Sequence, residues 1–167
     1  MSVLFIIVVW LPLVFEFIFK IKLNFALVIA LEIFMLLTIV IGSAWGVYII
    51  LPLLDKIVHF ASGILFGLLF YDIYSKLGKT QLSPFWICLF VFSFSMMIGG
   101  VWEVIEFIFD GVIPGQNAQR WQGLVGREAL FDTMYDLICD FVGSLIAAVV
   151  AFVHRKNTIK SNQEITK

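Results

Sequence analysis

Residues 84–110 read PFWICLFVFSFSMMIGGVWEVIEFIFD. No charge appears before Glu103. A helix needs about 20 apolar residues to cross the hydrocarbon core of a bilayer, and this run has that length and composition. It then ends on three acids, Glu103, Glu106 and Asp110, spaced three and four apart. A helix turns about 100° per residue. The three acids therefore share one stripe, with Gly99 on it a turn deeper. A lipid-embedded helix that closes on one-sided carboxylates has to aim them at other helices, because lipid gives them no partner.

The whole chain has the same character. It is 62% hydrophobic and only 14% charged, against about 25% charged in a typical soluble domain. Its mean hydropathy is +1.05. A soluble domain of 167 residues has no interior large enough for that much apolar surface. The composition predicts an all-α, polytopic membrane helix bundle of one domain over 1–154, with a short, frayed cytoplasmic tail over 155–167. The net charge of −1, with no basic patch, gives no reason to expect nucleic acid. Cys88 and Cys139 both lie in apolar segments and read as packed free thiols.

Five segments fit the bilayer ruler, at about 2–19, 24–45, 56–74, 84–109 and 131–153. The first carries Glu16 and has no basic region ahead of it, so it reads as a retained span rather than a cleaved leader. Pro12 is a tolerable kink there. Lys20, Lys22, Lys76, Lys79, Arg155, Lys156, Lys160 and Lys167 fall at one side of this topology. Lys56, Arg120 and Arg127 fall at the other. The positive-inside rule then predicts an outside N-terminus and an inside C-terminus.

That topology, drawn from basic residues alone, brings the acids to one level. Asp55 and His59 open the third span, Glu103, Glu106 and Asp110 close the fourth, and Asp132, Asp136 and Asp140 open the fifth. Each set is spaced as one helical face and runs on into glycine: Gly63 and Gly67, Gly99, and Gly143. Small residues let membrane helices approach closely. The glycines bring three helices together, and the acids meet above them near the outer surface.

Clustered carboxylates in a bilayer repel one another, so they need protons, basic partners or a cation. One imidazole among several carboxylates suits a divalent ion such as Mg²⁺, Mn²⁺, Fe²⁺ or Zn²⁺. The expected ligands are His59, Glu103, Glu106, Asp136 and Asp140, with Asp132 or Asp110 as general base. Plainer readings stand beside these. Asp132 fits a helix N-cap, Asp110 and Asp55 fit wet helix ends, and His59 fits a satisfied interfacial residue. Asp136 and Asp140 are harder to account for in that way, being deeper and without a basic neighbour in sequence. The connection GVIPGQNAQRWQGLVGREALF, residues 111–131, lies over the acids. Its Arg120 and Arg127, with Lys56 and Asp55 below, are the candidate substrate-binding set, and Trp121 is a candidate interfacial anchor.

DKIVHFASGILFG, VWEVIEFIFD and VGREALFDTMYDLICDFVGSLIAA resemble the YjdF-like family of small bacterial membrane proteins. More distantly they resemble the VanZ-like family. Asp55, Lys56, His59 and Phe60 match a VanZ-like opening, Glu103 or Glu106 a later acid, and Arg127, Asp132 and Gly143 a third element. Asp140 stands where that pattern commonly has Asn. The resemblance covers about residues 40–150 and implies a bacterial plasma membrane and an envelope role.

Three functions follow. The first is a metal-assisted hydrolase or transferase acting on a membrane lipid or lipid-linked envelope substrate. The second is cation or proton transport. The third is a non-catalytic envelope scaffold, its acids serving helix packing. A homodimer is compatible with each.

Overall fold

A computed structural model describes residues 10, 12, 14–77, 82–115, 117–119 and 123–165, apart from the side chains of Ser43 and Ala44. Among these residues the chain is all-helical. Four helices are long and apolar enough to cross a membrane: Phe25–Gly42, Pro52–Leu77, Pro84–Val112 and Gly126–Ile165. The expected first span, 2–19, falls largely outside the described residues. Its last part, 14–19, is helical.

Helix α1 is Phe25–Met35, and it widens into a π-helical segment over Leu36–Ala44. The Asn24 side chain caps it, accepting from the amides of Ala26 at 3.0 Å and Leu27 at 3.3 Å. The Asn24 amide donates to Asp72 at 2.9 Å, tying the start of α1 to the far end of the next long helix. Gly46, at φ +69°, turns the chain into the short α2, Val47–Ile50. A side chain would be strained at that backbone angle. Then come α3, Pro52–Leu77, α4, Pro84–Val112, and α5, Phe131–Ile165, the last preceded by a 3₁₀ turn over Gly126–Leu130. Proline begins both α3 and α4, where its missing N–H costs no helical bond.

Three long helices make the bundle. The buried residues of α4 are Ile87, Val91, Ser95, Gly99 and Glu103, every fourth residue along one seam. Those of α3 are His59, Gly63 and Gly67. In α5 the buried row starts at Asp132, Asp136 and Asp140 and continues through Gly143, Ser144, Ala147, Ala148 and Ala151. Helices α3 and α5 meet backbone to backbone. A Cβ at Gly63 would lie 2.6 Å from the Asp140 carbonyl oxygen and 2.8 Å from the Ser144 nitrogen, and one at Gly143 would strike the Phe60 carbonyl. Large apolar side chains such as Phe85, Trp86, Trp102 and Phe107 point outward, as a lipid-facing surface requires. Helix α5 runs on to Ile165, so most of the expected frayed tail is helical. Cys88 and Cys139 are free.

Candidate metal centre

The seams place polar residues at one end of the bundle and apolar residues at the other. Ile87, Val91, Ala147, Ala148 and Ala151 are fully buried and fill the axis of one half. Ser95 closes the top of this plug, its hydroxyl donating to the Gly63 carbonyl at 2.6 Å. Above it lie His59, Glu103, Asp132, Asp136 and Asp140, all buried and contributed by three helices.

Lys56 is the first organising group. Its ammonium donates to Asp132 Oδ1 and Asp136 Oδ2, each at 2.6 Å, to Asp55 Oδ2 at 3.1 Å, and to the Asp132 carbonyl at 3.3 Å. One lysine of α3 thus ties down two acids of α5. The partner that Asp136 lacks in sequence comes from a residue 80 positions away.

His59 is the second. Its Nδ1–H donates to Asp140 Oδ2 at 3.0 Å, while the Ser62 hydroxyl donates to Asp140 Oδ1 at 2.6 Å. An ionised carboxylate only accepts, so Asp140 holds a proton on Nδ1, and a neutral ring would then present a lone pair on the other nitrogen. That nitrogen, Nε2, faces Glu103 Oε1 and Asp136 Oδ1, each at 3.7 Å. Both oxygens of Glu103 and the Oδ1 of Asp136 are buried with no hydrogen-bond partner. Gln119 and Thr133 lie close beside Glu103; the Gln119 amide donates to the Glu103 carbonyl at 3.4 Å and to the Thr133 hydroxyl at 3.0 Å.

Buried polar atoms are almost always paired, since an orphan costs about 1–3 kcal/mol, and more if charged. Here two of these orphans, Glu103 Oε1 and Asp136 Oδ1, face one imidazole nitrogen. A divalent cation fits that donor set, and an Asp–His pair behind the ring is the usual support for a metal-bound histidine. Asp55, His59 and Asp136 also offer one ligand atom each within 4.8 Å of one another, so a buried Asp/His/Asp cluster able to hold a metal ion is present.

The predicted residues take distinct places. His59, Glu103 and Asp136 converge, and Asp55 stands beside them. Asp140 lies behind His59 rather than at the shared centre. Glu106 is half-buried at the rim, its Oε1 accepting from the Trp102 indole at 2.8 Å. Asp110 accepts from the amides of Ala118 and Gln119, at 2.7 and 2.8 Å, and folds the loop back onto α4. Its two oxygens are occupied as a helix-end anchor, which leaves little for a general base. Asp132 is engaged by Lys56, and Lys56 by its carboxylates rather than facing outward to a substrate. Arg127 is exposed on the 3₁₀ turn. Arg120 and Trp121 lie outside the described residues. Ser62, Gln119 and Thr133 escaped the sequence reading. Ser62 was within reach of it, being three residues after His59 on the same face. Gln119 sits in an aperiodic loop and gave no signal.

A family model described as "Predicted membrane protein (DUF2238)" matches residues 1–157. An uncharacterized protein of Thermotoga maritima is 33% identical over 109 residues, covering 62% of this chain and 49% of that protein. The matched stretch thus spans about half the length of that relative. No solved structure matches.

Proposed function

The chain belongs to this family of predicted membrane proteins, and from that premise we propose that it is a divalent-cation-dependent hydrolase or transferase of the bacterial plasma membrane. The substrate class is a membrane lipid or a lipid-linked envelope precursor. The observation that carries this reading is the convergence of the orphaned oxygens of Glu103 and Asp136 on His59 Nε2. His59, Glu103 and Asp136 would hold the ion, with Asp55 as a further ligand. A divalent ion there supplies Lewis-acid polarisation of a phosphoryl or acyl oxygen. Ion identity follows from donor chemistry: one imidazole with carboxylates favours Zn²⁺, Mn²⁺ or Fe²⁺ over Ca²⁺.

The chain's own groups then divide the work. Lys56 neutralises Asp132 and Asp136, so the acids stay close without expelling one another. Asp140 and Ser62 orient His59. Glu106, at the rim and bonded through one oxygen only, takes the general-base role first given to Asp132 or Asp110, whose carboxylates have other work. Arg127, exposed on the 3₁₀ turn that leads into α5, meets the anionic group of the substrate, which suits a guanidinium. The VanZ-like resemblance at Asp55–Phe60 and Arg127 supports an envelope role. Transport is the weaker alternative, because among the described residues the axis of the other half of the bundle is filled by Ile87, Val91, Ala147, Ala148 and Ala151.

Metal analysis of the purified protein is the direct test. We expect about one divalent ion per chain, a rise in melting temperature when it is added, and loss of both in Glu103→Gln and Asp136→Asn. A well-folded wild-type protein that retains no ion, and gains no stability from Mg²⁺, Mn²⁺, Fe²⁺ or Zn²⁺, overturns the proposal.

A further inference from the structure

The two carboxylate oxygens of Asp136 face different neighbours. Oδ1 is buried, has no hydrogen-bond partner among the described residues, and faces His59 Nε2 at 3.7 Å. Oδ2 accepts from the Lys56 ammonium at 2.6 Å. A carboxylate that bridges two cations, as in two-metal sites, offers one oxygen to each in this way. Here one of the two positions already holds a cation, and that cation is a side chain.

The atoms around Lys56 Nζ are those that a hard ion takes. Asp132 Oδ1 and Asp136 Oδ2 lie at 2.6 Å, Asp55 Oδ2 at 3.1 Å and the Asp132 carbonyl oxygen at 3.3 Å. All four are oxygens, from three carboxylates and one backbone carbonyl, which is the donor chemistry of Ca²⁺. The position beside His59 includes an imidazole and suits a borderline ion instead. The Lys56 side chain keeps 20% exposure against 1% for Asp136, so its position is the more open of the two. Its ammonium is tethered to α3, and a tethered group competes with free ions at a high effective concentration. We propose that Lys56 is the specificity-determining residue of the centre: its ammonium fills a second, all-oxygen cation position, so that one divalent ion binds beside His59 and Ca²⁺ is excluded. This role rests on the metal centre proposed above. It also fixes how Asp136 binds. With Oδ2 held by Lys56, Asp136 gives the ion one oxygen and not the bidentate pair that Ca²⁺ often takes.

The test uses the full chain purified in a neutral detergent. It is loaded with one equivalent of Zn²⁺, or of Mn²⁺ where that binds more tightly, and then titrated with Ca²⁺ by calorimetry. Melting temperatures are read on the same samples. Wild type takes up the first ion and shows no saturable Ca²⁺ binding. Lys56→Met removes the ammonium and keeps most of the stem. It gains about one Ca²⁺ per chain, the content of one all-oxygen position, and its melting temperature rises with Ca²⁺ where that of wild type does not. Adding Asp132→Asn to Lys56→Met takes a carboxylate from that position. Its Ca²⁺ affinity falls about tenfold below that of Lys56→Met, while uptake of the first ion stays at the wild-type level. Ca²⁺ binding by wild type as tight as by Lys56→Met overturns the proposal. So does a Lys56→Met chain that binds no Ca²⁺, or one that neither folds alone nor is brought to fold by Ca²⁺. So does a double variant that binds Ca²⁺ as tightly as Lys56→Met. Failure of the metal centre reads differently: wild type then takes up no first ion, and the role of Lys56 falls with it. Wild type with its first ion and Lys56→Met without Ca²⁺ removes the role of Lys56 alone.

Discussion

Asp140 decides how His59 presents itself. Ser62 donates to Oδ1 and His59 Nδ1–H to Oδ2, so both carboxylate oxygens act as acceptors. In Asp140→Asn one acceptor oxygen becomes an amide nitrogen, which only donates. The Ser62 hydroxyl also reaches the His59 carbonyl at 2.7 Å, so it can donate there and accept from the amide, while the amide oxygen stays on His59 Nδ1–H. The variant therefore removes the negative charge behind the ring and keeps its tautomer. We expect metal affinity to fall about 10–100-fold, the usual cost of losing such a supporting carboxylate. Nitrogen NMR of labelled histidine reads the tautomer directly. Unchanged affinity in Asp140→Asn would remove Asp140 from the site. Lys56 permits a second prediction at this scale. Lys56→Met strips the shared cation from Asp132 and Asp136, which are buried to 4% and 1% exposure. Leaving buried charges unpaired costs about 3–5 kcal/mol. Adding Asp136→Asn to Lys56→Met should recover part of that loss in thermal unfolding, and a strictly additive double variant would mean the pair is not coupled. The sequence displayed every one of these residues. It did not display their division into ligand, support and counter-ion, because a buried ligand and a buried supporting acid are the same residue type at the same spacing. Only the side-chain directions separate them.

At the scale of the helix, the four-residue seam explains which acids turned inward. The row Ile87, Val91, Ser95, Gly99, Glu103 advances by four. Glu106 stands three residues after Glu103, about 60° off that row at 100° per residue. It reaches the rim and pairs with Trp102 on its own helix. The sequence reading grouped Glu103, Glu106 and Asp110 as one stripe, since three and four are both helical spacings. The true seam follows the i+4 steps of the small and apolar residues beneath them, which the same sequence also contains. Those small residues set the depth of the contact. Gly63→Ala and Gly143→Ala would each drive a methyl into the backbone of the facing helix. Overpacking of this kind costs about 1–3 kcal/mol, and the shift should also widen the gap between His59 and Asp140 and weaken metal binding. Gly100, one residue off the seam, has nothing within 4 Å of an added Cβ. Gly100→Ala should be neutral or slightly stabilising, because alanine is the better helix former. Melting temperatures of the three variants, measured side by side, check the seam; equal losses at Gly63 and Gly100 would refute it.

For the molecule as a whole, charge asymmetry sets the direction in the membrane. Among the described residues Lys20, Lys22, Lys76, Arg155, Lys156 and Lys160 gather at the end away from the metal centre. At the other end stand Lys56, already neutralised by three aspartates, and Arg127. Basic residues near span ends stay on the cytoplasmic side, so the acidic end should face outward. On the proposed function it would meet envelope lipids and the external ion pool there. The four spans from Phe25 onward are even in number, which places Leu23 and the C-terminal part of α5 on the same side. That parity was legible from hydropathy, while the continuation of α5 to Ile165 was not, because its last residues are polar all round and carry no apolar period. The orientation is testable by single cysteines in a background with Cys88 and Cys139 replaced by alanine. Asn117→Cys, in the loop above the acids, should react with a membrane-impermeant maleimide in intact cells. Lys160→Cys should react only after the cells are opened. The reverse pattern would turn the metal centre toward the cytoplasm and remove the envelope substrate from the proposed function, leaving the ion site itself intact. Protection of both positions would contradict a loop that is open to water.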